Sequence, residues 1–337
     1  MRISMFRGNF TTVISRVLVV VLLFGSVFVA TSGQAVAAVG PANGFLVSPV
    51  EEELTINKGT SQTVDIAVQN PTNSTVVAET VINDFVASSQ ENGVPRILLN
   101  GDNSPANNFK SLVKPIPNTT LSPQQKQYIP VTISVPANAS SGGYYGVVRF
   151  IPVLNNNSAA NVGLTASVGS LFLITVPGNL IQKLDLVQLS AANNNGNADS
   201  FFLSGAVSSM VRLHNSGNIH VEPFGSVVVK NMFGSQVASY QFNNTDPRAS
   251  ILPDSTRKFV NALPSHFWFG HYTIDANLAY VQGSGKIITA SAGFWYMPWW
   301  SLIVLVVILA VIVYFVRRLV IRRRRHHLQG GKSIPVR

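Results

Sequence analysis

From Trp299 to Val316 the chain reads WWSLIVLVVILAVIVYFV, and arginines follow at once in RRLVIRRRR. A helix needs about 20 apolar residues to cross the hydrocarbon core of a bilayer. The run reaches that length when Phe294–Pro298 serves at the interface. Only Ser301 and Tyr314 interrupt it, which argues against a buried core helix. Trp295, Tyr296, Trp299 and Trp300 suit a headgroup-level aromatic belt. Arg317 and Arg318, with Arg322–Arg325, suit the cytoplasmic side. We therefore expect a transmembrane helix over 295–316 and a basic cytoplasmic tail over 317–337, whose arginines also attract anionic lipid.

The N-terminus carries a second, shorter apolar stretch, Val17–Ala30, behind Arg2, Arg7 and Arg16. With Ala35-Val36-Ala37 as a small-residue cleavage site, 1–37 reads as a signal peptide; an uncleaved anchor stays open. Both ends then place the intervening chain outside the membrane, giving a single-pass protein of the cell membrane with an extracellular ectodomain. Charge agrees with that topology. Segment 41–293 carries 13 basic residues against all 14 acidic ones, while the remaining 11 Lys and Arg lie in the two ends. The overall +10 thus reports membrane orientation and gives no reason to expect nucleic acid as a partner. With no cysteine, the exported part must be held by its cores alone and offers no thiolate for catalysis or metal.

Between the ends the pattern is strand after strand. Val64, Ile66 and Val68 share one face of Thr63–Gln69, and Ile129, Val131, Ile133 and Val135 share one face of Tyr128–Val135, the period-2 signature of half-buried strands. Asn, Gly, Ser and Pro clusters separate these runs. Further strands are expected over Phe45–Val50, Thr75–Val86, Tyr144–Val153 and Leu164–Val176. Beyond them come Phe202–Leu213, Gly225–Asn231, Gln236–Phe242, Arg257–Val260, Tyr272–Val281 and Lys286–Ala292. No good amphipathic helix of three turns is legible before residue 294, which argues against a Rossmann or barrel enzyme, where helices alternate with strands. The expected fold class is all-β: two tandem immunoglobulin-like sandwiches followed by one transmembrane helix. We place the first over 41–177 and the second over 178–293. The first holds a loop insertion over about 83–118, with a short hairpin near Arg96–Leu99; it is either a binding loop or simply a loop.

The two sandwiches share a plan. An Asn-rich turn follows an early strand in each, Gln69–Asn73 and His214–Asn218. A proline turn comes later, Leu121-Ser122-Pro123 and Leu252-Pro253-Asp254. A Gly-Tyr strand follows, Gly143–Val148 and Gly270–Ile274. Tyr145 and Tyr272 are expected to pack inward with their hydroxyls on a turn, as in a tyrosine corner, in preference to binding a ligand.

Gly44-Phe45-Leu46-Val47-Ser48-Pro49-Val50, then Val68-Gln69-Asn70-Pro71, then Gly142-Gly143-Tyr144-Tyr145-Gly146 resemble the first domain of the bacterial surface proteins that accompany WxL proteins. That resemblance implies two β-sandwich domains, a C-terminal membrane helix and a basic tail. It further implies peptidoglycan binding by the first domain and partner or host binding by the second. It makes Ser48, Pro49, Gly143, Tyr144 and Tyr145 candidate ligand-binding residues.

Catalytic signatures are missing. There is no H-E-x-x-H, no G-x-S-x-G in a strand–turn–helix setting and no phosphate loop. Gly283-Ser284-Gly285-Lys286 reads as a hairpin turn. His214, His220 and Glu222 could meet across a hairpin, though a turn hydrogen bond explains them better than zinc. Glu51-Glu52-Glu53 reads as a solvated strand end. Phe267-Trp268-Phe269 is either core of the second sandwich, the preferred reading, or an exposed platform on which Trp268 would bind. No enzyme activity, cofactor or metal is expected. Two functions compete. One is an anchored binding or scaffold protein of the cell envelope that contacts cell-wall polymer, peptidoglycan included, or another surface protein. The other is an accessory ectodomain of a transport, secretion or pilus-like membrane complex. The helix has no Gly-x-x-x-Gly and no internal charge, hence little sign of specific helix pairing, which leans toward the first.

Overall fold

A computed structural model describes residues 44–99, 102–104, 107–153, 167–263, 267–280 and 286–329, with side chains to 320. The expected signal peptide, His266 and the 283–285 turn lie outside the described residues.

The first half of the ectodomain opens with β1 (Leu46–Ser48) and β2 (Glu51–Thr55). Phe45–Val50 was expected as one strand. Instead β1 pairs with β3 (Ser61–Gln69), and β2 pairs, parallel, with β9 (Val168–Val176) in the other sheet. The break falls at Pro49, which has no N–H to continue a ladder. β3 pairs in turn with β7 (Lys126–Ser134). The facing sheet runs β2-β9-β8-β4-β5, where β8 is Gly142–Val153, β4 is Val76–Ala87 and β5 is Pro95–Ile97; β6 (Thr119–Leu121) also joins β4. The alternation read from the sequence is what fills the gap between the sheets. Ile66, Val68, Val131 and Ile133 meet Val148, Phe150, Phe172 and Ile174, all buried.

The second half repeats the arrangement. β10 (Leu184–Ala192), β12 (Ser208–Asn215) and β15 (Ser255–Ala262) form one sheet. The other runs β11-β17-β16-β13-β14, with β11 Phe201–Phe202, β13 Phe224–Asn231, β14 Gln236–Phe242, β16 Gly270–Ala279 and β17 Ile287–Tyr296. Leu213, Val227, Val229, Ile274 and Phe294 lie at its centre. Phe202–Leu213, expected as one strand, is two: β11 and β12 belong to different sheets, and Gly205 turns the chain between them with a φ of +90°. Among the described residues the ectodomain is thus all-β, two immunoglobulin-like sandwiches, followed by one long helix.

The shared plan has an atomic basis. The buried Asn70 side chain donates to the carbonyls of Ser74, Leu121 and Ser122 and accepts from Thr72 N. Its counterpart Asn215 donates to Ile219 and Ile251 and accepts from Gly217 N. Each asparagine thereby staples its own turn to the later proline turn, satisfying carbonyls that burial would otherwise leave unpaired. Both proline turns carry a left-handed residue, Gln124 and Asp254.

The helix, α1, covers Trp299–Gln329. Within its stretch Trp299–Val320 an 18-residue window has a mean hydropathy of 2.8 and no buried residue, so the stretch is long and apolar enough to cross a membrane. It starts later than expected: Trp295 and Tyr296 belong to β17, pairing with His271 and Gly270. Only Met297 and Pro298 separate the last strand from the helix.

Candidate functional site

A cluster of polar and titratable groups lies where the two sandwiches meet, and it begins with an anomaly in β8. Residues Gly142–Val148 are buried at every position rather than at alternate ones. A strand buried on both faces has something packed on its outer side. Here Tyr145, Val147, Phe85 and Leu173 form a small apolar cluster on the outer face of the six-stranded sheet, with Leu252 of the second sandwich against it.

Tyr145 is the pivot. Its hydroxyl accepts a hydrogen bond from the backbone N–H of His220 (2.7 Å) and lies 3.3 Å from that residue's Nδ1. His220 Nε2 is 2.7 Å from Glu53 Oε1 on β2. One assignment satisfies all three contacts with a neutral ring: Nε2–H donates to Glu53, and Tyr145 O–H donates to Nδ1. The histidine bond holds the Glu53 carboxyl below its usual range, against a smaller upward push from burial. Burial pushes the Tyr145 hydroxyl far up, so it acts as a hydrogen-bonding group and not as a phenolate. Around them, burial chiefly, with Glu53 adding repulsion, raises Glu51 and Glu222. Desolvation lowers Arg257, which Glu51 partly offsets. Glu51-Glu52-Glu53 is therefore no simple solvated end: it is a paired strand whose third carboxylate reaches the second sandwich.

The glycines beside Tyr145 are required by the same packing. A Cβ on Gly143 would stand 1.9 Å from Tyr145 Oη, and one on Gly146 would stand 1.9 Å from the Phe109 ring. Gly143 N also donates to the Asn218 carbonyl, and Asn107 donates to the Gly143 carbonyl. The tyrosine-corner expectation shifts by one residue. Tyr144, not Tyr145, donates to the carbonyl four residues upstream, Ser140. In the second sandwich Tyr272 does the same to Trp268, and its oxygen accepts the Trp268 N–H.

The insertion serves the fold and the junction. The hairpin of β4 and β5 forms near the expected place, and its turn leans on the second sandwich. Arg212 Nε and Nη2 donate to the two Glu91 oxygens at 2.7 and 2.6 Å, and Lys258 N donates to the Glu91 carbonyl. Buried Asp84 accepts from Ser104 N and Lys110 N. That bond pair positions a 3-10 turn at Lys110–Leu112 and lodges Phe109 and Leu112 in the first core.

Among the clefts at the junction, two are sizeable. One of about 420 Å³ is lined by Phe85, Asn107, Gly143, Tyr145, Asn218 and Leu252 among others. The other, about 210 Å³, is lined by Glu51, Arg248 and Arg257 among others. Of the expected ligand-binding residues, Gly143 and Tyr145 line the first of these clefts, Tyr144 packs into the first core from the other face of β8, and Ser48 and Pro49 sit at the β1–β2 crossover. Trp268 lies far along the second sandwich, 72 % exposed. Its neighbour Phe267 takes the core place the motif was expected to supply, packing on Tyr272, Phe294 and Tyr296. Trp299 and Trp300 open α1 and are exposed, as are Arg317 and Arg318 within it, and Trp295 stacks edge-on against His271. His214 bonds Thr256. Among the described residues, no three His, Cys, Asp or Glu are placed to hold a metal ion.

No family model matches the sequence, and no curated protein does. Solved structures align with the chain at low similarity. The class 5 fimbriae chaperone CfaA is 13 % identical over 74 % of this chain and 98 % of its own, at a TM-score of 0.36. The CsuC–CsuE chaperone–tip adhesion subunit complex of Acinetobacter baumannii is 14 % identical over 74 % and 97 %, at 0.34. The Salmonella enterica SafA pilin–SafB chaperone complex is 12 % identical over 74 % and 99 %, at 0.35. Likeness at this level assigns this chain no family and no partner.

Proposed function

We propose that the chain is a membrane-anchored, non-catalytic accessory ectodomain of the bacterial cell envelope, a subunit that meets its partner protein at the bilayer surface. One observation carries this reading: two residues, Met297 and Pro298, join the last strand to the apolar helix. Three residue steps from Tyr296 to Trp299 span at most about 11 Å. The second sandwich therefore has no tether with which to reach away from the membrane. The Glu53–His220–Tyr145 and Glu91–Arg212 contacts further join it to the first sandwich as one body. A stiff body held at the surface suits a fixed complex better than a search through cell wall. In this reading 1–37 is the export signal, the ectodomain faces outward, and the tail from Arg317 stays cytoplasmic against anionic lipid.

The wall-polymer reading keeps one observation in its favour. An open trough of about 610 Å³ on the five-stranded sheet, lined by Lys230, Gln236, Asp275, Asn277 and Ser291 among others, offers the polar side chains a glycan would need. Kinship with the surface proteins that accompany WxL proteins rests on architecture alone, since Gly143 and Tyr145 are occupied by the junction.

The test is a spacer. Full-length protein and a version with a long Gly/Ser linker between Pro298 and Trp299 are crosslinked in cells and purified through an affinity tag. Capture of a membrane protein that the linker abolishes supports the reading. Capture unaffected by the linker, or sedimentation of the full chain with purified peptidoglycan, overturns it.

A further inference from the structure

We propose that the end of the second sandwich nearest α1 is itself a lipid-binding surface, with three apolar chain segments seated in the headgroup region of the bilayer that α1 spans. The inference deepens the anchored reading and rests on α1 crossing the membrane.

Strand register brings the segments together. The end of β17 pairs with the start of β16, Tyr296 against Gly270. The end of β13 pairs with that same part of β16, Asn231 against Tyr272. β11 runs parallel to the end of β17, Phe202 against Tyr296. Residues 201–205, 232–235 and 267–270 must therefore emerge at one end of the five-stranded sheet, the end from which the helix departs. Their sequences are Phe-Phe-Leu-Ser-Gly, Met-Phe-Gly-Ser and Phe-Trp-Phe-Gly, with no charge among them.

These segments are apolar in the wrong place for a water-facing turn. Phe233, at a turn tip, is 84 % exposed, and Trp268 is 72 % exposed; Leu203, Met232 and Phe269 are each close to half exposed. Met232 packs beside Gly270, where a Cβ would stand 2.3 Å from its terminal methyl. Trp268 meets Trp300 of the helix edge to face, 6.3 Å between ring centres. The patch is thus continuous with the first turn of the anchor. Contiguous exposed apolar patches mark interaction sites, and aromatic side chains at the water–hydrocarbon boundary favour the headgroup layer.

Distance selects lipid as the occupant. The second sandwich hangs within about 11 Å of the helix start, and the headgroup layer outside the hydrocarbon is itself several Å thick. Segments projecting from this end enter that layer before they could meet a soluble partner. The adjoining Asn193–Asn197 turn supplies amides suited to the polar side of the same layer.

The chain has no cysteine, so single thiols report position without interference. Phe233→Cys and Leu203→Cys are made in the full chain, with Asn244→Cys as a control. Asn244 is exposed and follows Phe242, which pairs with Gly225 at the opposite end of the sheet. Val307→Cys reports the helix. Each is labelled with an environment-sensitive fluorophore and reconstituted into phosphatidylcholine–phosphatidylglycerol vesicles, which carry shallow spin-labelled lipid for 203, 233 and 244 and deep spin-labelled lipid for 307. We expect quenching at 233 and 203 at least about threefold deeper than at 244. Labels at 233 and 203 that behave like 244, while 307 is quenched, overturn the proposal and leave the patch to a protein partner. No quenching at 307 removes the anchor reading, and this inference with it.

Discussion

Breaking the Glu91–Arg212 pair should loosen the junction by a measurable and bounded amount. Isolated surface pairs contribute about 0.2–1 kcal/mol, whereas hydrogen bonds to charged groups contribute about 1.5–3 kcal/mol. This pair is bidentate, and its side chains are only 29 % and 27 % exposed. The geometry places it above the surface value, and the residual solvent contact keeps it below the buried one. A coupling of about 1–2 kcal/mol is expected from a double-mutant cycle of Glu91→Ala and Arg212→Ala. Hydrogen exchange at the Lys258 amide gives a local reading, because that N–H on the edge strand β15 donates to the Glu91 carbonyl. About 1.4 kcal/mol is a factor of ten in an equilibrium constant, so either substitution should speed Lys258 exchange about tenfold in the detergent-solubilised full chain. Exchange of the Ile66 and Val131 amides inside the first sandwich should not change. A coupling below about 0.3 kcal/mol with unaltered Lys258 exchange would refute the claim that the insertion struts the two sandwiches.

Other consequences follow from the same packing. Phe109→Ala should cost about 3–5 kcal/mol in denaturant unfolding, because the ring is fully buried against Phe172 and Gly146; a value under about 1 kcal/mol would return the insertion to being a mere loop. Gly143→Ala should destabilise by about 1–3 kcal/mol, since its Cβ would collide with Tyr145 Oη, and a neutral effect would show that Tyr145 is free to move. The carboxylates of the junction give opposite pH signatures. Glu53 lies below its unfolded value through the His220 bond, so its contribution is present above about pH 4.3 and disappears as pH falls through the lower folded value. Glu51 is raised, chiefly by burial, so its charge opposes folding at pH 7 and ceases to do so below about pH 4. Glu51→Gln should then raise the melting temperature at pH 7 and leave it unchanged at acid pH; a lower melting temperature at pH 7 would reverse the assignment.

What could be read from the chain was whatever repeats locally. The alternation of Val64, Ile66 and Val68, and of Ile129 to Val135, announced two strands and the faces they bury. Asn70 and Asn215 announced matching turns, because an asparagine that staples a turn does so through groups two and four residues away. The helix announced itself by length and composition. The junction did not, because Glu53, Tyr145 and His220 stand 167 and 75 residues from their partners, and no local pattern encodes such a pairing. One signal was present: Tyr144–Val148 breaks the polar–apolar alternation, as a strand covered on both faces must. Asp84 and Phe109 were hidden inside a segment whose Gly and Pro content made it read as loop. Which member of Phe267-Trp268-Phe269 turns inward was left open for a related reason. Alternation around Phe267–Phe269 fixes that one of the three turns inward, and Tyr272, two residues past Gly270, decides that it is Phe267.

The anchored, outward-facing arrangement is tested most directly by thiol accessibility in the cysteine-free chain. Asn244→Cys and Lys332→Cys are expressed separately, and intact spheroplasts are treated with a membrane-impermeant maleimide. An outward-facing ectodomain gives labelling at 244 in intact spheroplasts and at 332 only after the membrane is permeabilised. Labelling at 332 with protection at 244, or equal labelling at both without permeabilisation, would contradict it.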